Sequence, residues 1–189
     1  IQDFKKIREG GFVYVDKTAL LYKLANEGTI YFLSRPRRFG KSLLVSTLKY
    51  YFGGERELFN GLAIDALEKD WNSYPIFHVD FNSTNYTKSG DALSKLIKGT
   101  VEDWERQYGC VGNEEFDYGK RFAELLKHVH ATTGKRCVVL VDEYDKPLLD
   151  VLDSGMVEQG GDGKEMLLED INREILKGFY SAFKSADQD

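Results

Sequence analysis

The segment Ser34-Arg-Pro-Arg-Arg-Phe-Gly-Lys-Ser42 constrains this chain more than any other. An apolar run, Thr29-Ile-Tyr-Phe-Leu33, precedes it, and a run of helical character, Leu43-Leu-Val-Ser-Thr-Leu-Lys-Tyr-Tyr51, follows it. The order is strand, tight loop ending in Gly-Lys-Ser, helix. Such a loop turns its backbone amides and the helix N-terminus toward one point, which makes a seat for phosphate groups. A lysine at this position reaches the β- and γ-phosphates of a nucleoside triphosphate, and the serine hydroxyl ligates Mg2+. The full pattern G-x4-G-K-[ST] asks for glycine where this chain has Arg35, so the loop needs a second motif beside it.

Arg136-Cys-Val-Val-Leu-Val-Asp-Glu-Tyr-Asp145 supplies it. Val138 to Val141 reads as a strand buried on both faces. The acidic pair Asp142-Glu143 ends that strand. An aspartate there holds Mg2+ through the ion's water shell. A glutamate one residue later polarises the attacking water as general base. In open α/β sheets the site forms at the carboxyl ends of strands, where both motifs fall. A lone Gly-Lys-Ser is common by chance, whereas the pair of motifs is not. The bland readings are a solvated basic loop at Arg35, Arg37 and Arg38 and an ordinary polar strand end at Asp142-Glu143. Pairing with Lys41 favours the nucleotide site over the second of these.

The 189 residues suffice for one domain with a sizeable core. With 42% hydrophobic and 30% charged residues the chain has the composition of a soluble globular protein. A net charge of −5 argues against a general polyanion binder. Cys110 and Cys137 sit in unlike contexts and imply no pairing, which suits a reduced, cytoplasmic setting. No apolar run is long enough to span a membrane. His128 and His130 mark a helix end and make no metal-ligand spacing with the cysteines.

Along the chain, residues 1–15 read as short and mixed, with a turn at Gly10-Gly11. Asp16 is placed to cap a helix over 17–25. Strands are expected at 29–34, 74–81 and 137–142. Helices are expected at 43–52, in short pieces within 55–73, and at about 89–108, 115–131 and 165–185. Pro147 reads as a break, and the glycine-rich stretch 153–164 reads as a mobile loop. The alternation predicts an α/β chain with three layers, a P-loop NTPase fold around a mainly parallel central sheet.

Phe12-Val-Tyr-Val-Asp-Lys-Thr18, Phe32 through Ser42, His78-Val-Asp-Phe81, Val141-Asp-Glu-Tyr-Asp-Lys-Pro147 and Gly178-Phe-Tyr-Ser-Ala-Phe-Lys-Ser-Ala186 together resemble the AAA-ATPase-like family of bacteria. The family's loop is R-P-R-R-F-G-K-S, so the resemblance makes Arg35 a family variant. It implies that residues 1–189 are the N-terminal portion of a longer protein. The sensor strand, a helical region and a frequent PD-(D/E)XK nuclease-like domain would lie beyond it. In related ATPases the sensor strand stands between the Lys-bearing and acid-pair strands. Without it the sheet would keep two open edges, and 29–34 would not pair directly with 137–142.

The expected activity is Mg2+-dependent ATP hydrolysis coupled to a conformational change, with ATP and Mg2+ as the cofactors. Lys41 neutralises phosphate charge, Ser42 ligates Mg2+ with Asp142 behind it, and Glu143 activates water. Backbone amides of Phe39, Gly40, Lys41, Ser42 and Leu43 form the phosphate cradle. Arg37 or Arg38 adds charge to the triphosphate or serves a neighbouring subunit as an arginine finger. Tyr14 and Asp16 lie either near the adenine or in packing and capping roles. Asp80 ends a strand on the same sheet edge. Two alternatives stay open: a nucleotide-binding regulatory module without significant hydrolysis, and the ATPase part of a DNA-processing nuclease. Partners other than nucleotide would be further copies of the chain in a homo-oligomer, or DNA through regions outside it.

Overall fold

The computed structural model describes residues 2–28, 30–34, 39–159 and 163–185, leaving aside the side chains of 184 and 185. The chain divides into two compact units, Ile1–His78 with Val138–Asp142, and Val79–Cys137 with Glu143–Asp189.

The first unit opens with helix α1, Phe4–Glu9. Asp3 caps it by accepting from the Lys6 amide at 2.8 Å. The same carboxylate accepts from the Tyr50 hydroxyl at 3.0 Å, and the Phe4 amide donates to Ser46 Oγ at 2.9 Å. Those bonds dock α1 on helix α3, Lys41–Phe52, which Gly53 ends. Helix α2, Thr18–Glu27, starts beside helix α4, Ala63–Leu67. Asp16 ties the two starts together, accepting from the Thr18 amide at 2.8 Å and the Ala63 amide at 2.7 Å. A 3-10 turn at Arg56–Phe59 completes the layer. Phe4, Leu21, Leu48, Tyr51, Phe59, Ile64 and Leu140 form its buried core. Phe4 meets Phe59 at 4.8 Å and Phe59 meets Trp71 at 5.2 Å between ring centroids.

Strands β1, Ile76–Asp80, and β2, Val138–Asp142, pair in a small parallel sheet, and the Val138 amide bonds the Pro75 carbonyl at 2.9 Å. Strand β1 crosses from the first unit to the second after His78.

The structure corrects the expected sheet. The described residues 30–34 adopt no strand, and Ile30 and Phe32 are 69% and 70% exposed. A strand exists only where a neighbour pairs its backbone N–H and C=O groups. Among the described residues the parallel sheet holds two strands, so this is a mixed α/β chain with a smaller parallel sheet than the central one expected.

The second unit is built on helices α5, Ala92–Tyr108, and α6, Tyr118–Thr133. Helix α7, Lys146–Leu149, and helix α8, Leu168–Ser185, complete it. Phe122 of α6 stacks on Phe179 of α8 at 5.4 Å, and Trp104 of α5 lies 5.1 Å from Phe122. A Cβ at Gly119 would come within 2.4 Å of the Gly178 carbonyl, so the close approach of α6 to α8 excludes a side chain there. The nearly buried Arg121 clamps Glu105 through Nε at 3.0 Å.

Two local readings change here. Pro147 does not break the chain; it sits in the first turn of α7, where its missing N–H costs nothing. The stretch 153–164 is not simply a loop, because β3, Val157–Gln159, pairs antiparallel with β4, Glu165–Leu167.

Candidate functional site

Phe39 and Gly40 form a bend that leads into α3. Gly40 caps the helix at φ 78°, in the left-handed region, with no side-chain capping bond. A Cβ there would meet nothing within 4 Å, so the backbone conformation rather than crowding favours glycine. Lys41 and Ser42 open the helix half-exposed, and no acidic residue occupies its first turn. A helix start of this kind presents backbone N–H groups and the positive end of the helix dipole together with the lysine charge. Leu43 turns its side chain to the core, so its expected part in the cradle falls to its amide. The Phe39 ring is 63% exposed. Arg35, Arg37 and Arg38 lie outside the described residues.

The second motif belongs to the same unit as Lys41 up to its aspartate. Strand β2 ends at Asp142, which is 8% exposed. Leu43, Leu44, Leu48 and Tyr51 of α3 share one apolar cluster with Val138 and Leu140 of β2. The helix that begins with Lys41 and Ser42 and the strand that ends in Asp142 are therefore parts of one core.

Glu143 carries the most unusual backbone of the motif. Its φ is 52°, a left-handed conformation for a residue with a long side chain. Holding such a residue there costs about 1–2 kcal/mol. The chain passes from the first unit to the second between Asp142 and Glu143. Tyr144 and Asp145 follow, and α7 begins.

Sequence reasoning missed Asn172. It is 1% exposed on α8 and donates from Nδ2 to the Pro147 carbonyl at 2.8 Å, which ties the segment after the acid pair to α8. A buried asparagine in the apolar stripe of an amphipathic helix is the signal that could have found it. Tyr180, two turns further along α8, reaches the Tyr144 carbonyl at 3.4 Å. Burial, then the charge of Asp145, raises the Tyr180 phenol well above its usual value, so it stays a neutral donor.

Tyr14 and Asp16 take structural roles. The Tyr14 ring packs edge-on against Phe4 at 5.1 Å. Asp16 spends its carboxylate on the starts of α2 and α4. Asp80 is exposed and accepts from the Asn82 amide at 2.8 Å, capping the 3-10 turn Phe81–Ser83. Cys110 and Cys137 are free, and burial pushes the Cys137 thiol up to about 11. Among the described residues, no group of three or more His, Cys, Asp or Glu is placed to hold a metal ion by itself. Nor is any described helix long and apolar enough to cross a membrane.

Comparison with known proteins adds two findings. A family model described as "Predicted AAA-ATPase" matches residues 1–189. A protein of Azotobacter chroococcum mcd 1, described as an uncharacterized protein in the vnfD 5' region, is 39% identical over 193 residues. The alignment covers 99% of this chain and 34% of the relative, so the chain spans about a third of that protein's length. No solved structure matches.

Proposed function

This chain belongs to the AAA-ATPase-like family, and we propose that as such it binds ATP at the first turn of α3 and hydrolyses it with Mg2+. One observation carries the reading. A left-handed Gly40 opens α3 with Lys41 and Ser42, on the core it shares with the strand ending in the buried Asp142. The amides of Phe39 to Leu43 cradle the phosphates. Lys41 neutralises charge on the β- and γ-phosphates, with Arg37 or Arg38 adding to it. The Ser42 hydroxyl would ligate Mg2+ directly and the Asp142 carboxylate would hold it through the ion's water shell, both being hard oxygen donors of the kind that suit it. Held there, Mg2+ would supply positive charge against the charge that develops on the phosphates.

Glu143 accepts the proton of the attacking water. Its strained backbone supports that role, since strained residues gather where a fold fixes functional geometry. The free cysteines suit the cytoplasm.

A second reading, nucleotide binding without turnover, is favoured by Arg35 in place of the loop's first glycine. The net charge of −5 lends no support to a DNA-processing role within these residues.

Calorimetric titration with Mg-ATP tests the site. Lys41→Ala is expected to weaken binding by about two orders of magnitude, near 2.7 kcal/mol. Unchanged affinity would remove Lys41 from the phosphates. Phosphate release then separates the two readings. Glu143→Gln is expected to keep the affinity and lose about 10²–10⁴-fold in turnover. Absence of phosphate release from the parent protein establishes the binding-only reading.

A further inference from the structure

The segment that follows Glu143 lines one side of an open depression of about 420 Å³, and α8 lines the other. That volume falls in the range of sites for small molecules, about 300–1,000 Å³. Its surface is largely apolar: Leu148 and the Tyr144 ring on one side, Leu176 and the Tyr180 ring on the other. Two cations, Arg173 and Lys177, stand one turn apart on α8 at its border, and Asp145 is the one acid in the lining.

The charges define the ligand. Arg173 pairs with Asp170, and Lys177 pairs with Glu174 at 2.6 Å, all on the exposed face of the same helix. Exposed pairs of this kind are worth about 0–1 kcal/mol, so an incoming anion displaces a neighbouring carboxylate at small cost. Asp145, Asp170 and Glu174 together oppose a polyanion such as a nucleotide triphosphate. The apolar walls require a hydrophobic body.

We propose that this depression binds a small amphiphilic anion: an apolar ring system or branched hydrocarbon body seated between Leu148, Leu176 and the two tyrosines, with one carboxylate or sulfonate held by Arg173 and Lys177. The bound molecule acts on the acid-pair segment. Tyr144 is the residue after the left-handed Glu143; the Tyr180 hydroxyl already reaches its carbonyl, and Asn172 bonds the Pro147 carbonyl, so both ends of the wall touch α8. A ligand wedged between them restricts residues 144–149 and, through them, the turn at Glu143. The site stands whether or not the protein hydrolyses ATP.

The probe is 8-anilinonaphthalene-1-sulfonate, an apolar ring body with one sulfonate, titrated into the whole chain and read by its fluorescence. One saturable equivalent per chain is expected. The double variant Arg173→Gln/Lys177→Gln changes only exposed side chains and keeps the melting temperature. It is expected to weaken the probe by about tenfold, the loss that corresponds to 1.4 kcal/mol. Leu148→Arg fills the depression and is expected to abolish the signal. Amide exchange over 144–149 is expected to slow when the probe is bound and to stay unchanged in the double variant. Fluorescence that rises without saturation overturns the proposal, as does an affinity that the double variant leaves intact. Exchange at 144–149 that ignores the bound probe overturns its action on Glu143.

Discussion

Two apolar runs lead into the two halves of the candidate site, and they have different fates. Val138–Asp142 pairs with β1 and buries Leu140 to 8% exposure. Ile30-Tyr-Phe-Leu33 has β-favouring side chains yet adopts no strand and exposes all four. Propensity is similar in the two, so the difference lies in the neighbours. Strand β2 finds the edge offered by Pro75 and Ile76–Asp80, which pairs its backbone and covers part of its side chains. A β-branched or aromatic run has high strand propensity only because a pleated, half-buried surface accepts it. An apolar run predicts what a segment will do when it meets a partner, and the partner is not written in the run.

The largest effect expected from this contrast is on stability. Leu140→Ala leaves a cavity in the core beneath α3 and should cost about 2–5 kcal/mol in urea unfolding. Phe32→Ser, at a position 70% exposed, should stay within about 0.5 kcal/mol. Equal losses at the two positions would break the comparison, because Phe32 would then be buried in the protein in solution.

A smaller effect comes from the turn that each half uses. Both halves place a left-handed residue next to a functional one, but the phosphate loop uses Gly40 at φ 78° and the acid pair uses Glu143 at φ 52°. Gly40→Ala should destabilise the protein by about 1 kcal/mol, although its Cβ has open space, because an L-residue resists that conformation. Glu143→Gly should do the reverse. It relieves about 1–2 kcal/mol of strain against an entropy cost of about 0.5–1 kcal/mol, for a net gain of up to about 1.5 kcal/mol. A loss of stability in Glu143→Gly would mean that contacts of its side chain, and not the fold around it, hold the turn.

These cases also mark what was legible in the sequence. The helix starting at Lys41, the strand ending at Asp142 and the helix stops at Gly53, Gly109 and Gly134 follow from local rules of periodicity and capping. The described residues 30–34 form no strand, so the expectation that 29–34 and 137–142 do not pair directly has no strand pair to act on. Helix α1 is not legible in the sequence because six residues show less than two full turns of periodicity, and Ser46 and Tyr50 on another helix hold it in place. The hairpin of β3 and β4 was hidden for a similar reason. Three exposed residues per strand carry no alternation to detect, and glycines cluster in the sequence around position 160. In the site, Lys41, Ser42 and Asp142 were visible by motif. Asn172 was not, since its role depends on a carbonyl twenty-five residues away.

The smallest expected effect concerns pH and sharpens the contrast between the paired and unpaired segments of the first unit. Asp16 stands between two helix starts. Burial by itself would raise its carboxyl, but hydrogen bonds from the Thr18 hydroxyl and from the Ala63 and Thr18 amides outweigh burial and hold it below the usual range. Asp3 follows the same pattern, with burial opposed by the Lys6 amide and by the Tyr50 and Ser46 hydroxyls. A carboxyl depressed in the folded state contributes stability that is fully present above its unfolded value, about 4, and is lost as pH falls through the folded value. Stability should therefore decline as the solution is acidified below about pH 4. Asp16→Asn keeps an acceptor but not the charge, and at this exposed position it should cost only about 0.5 kcal/mol at pH 7. That cost should shrink as pH approaches 3, when the parent's own Asp16 begins to protonate. A deficit in Asp16→Asn that stays constant from pH 7 to pH 3 would show that the helix starts are joined by the geometry of the acceptor and not by its charge.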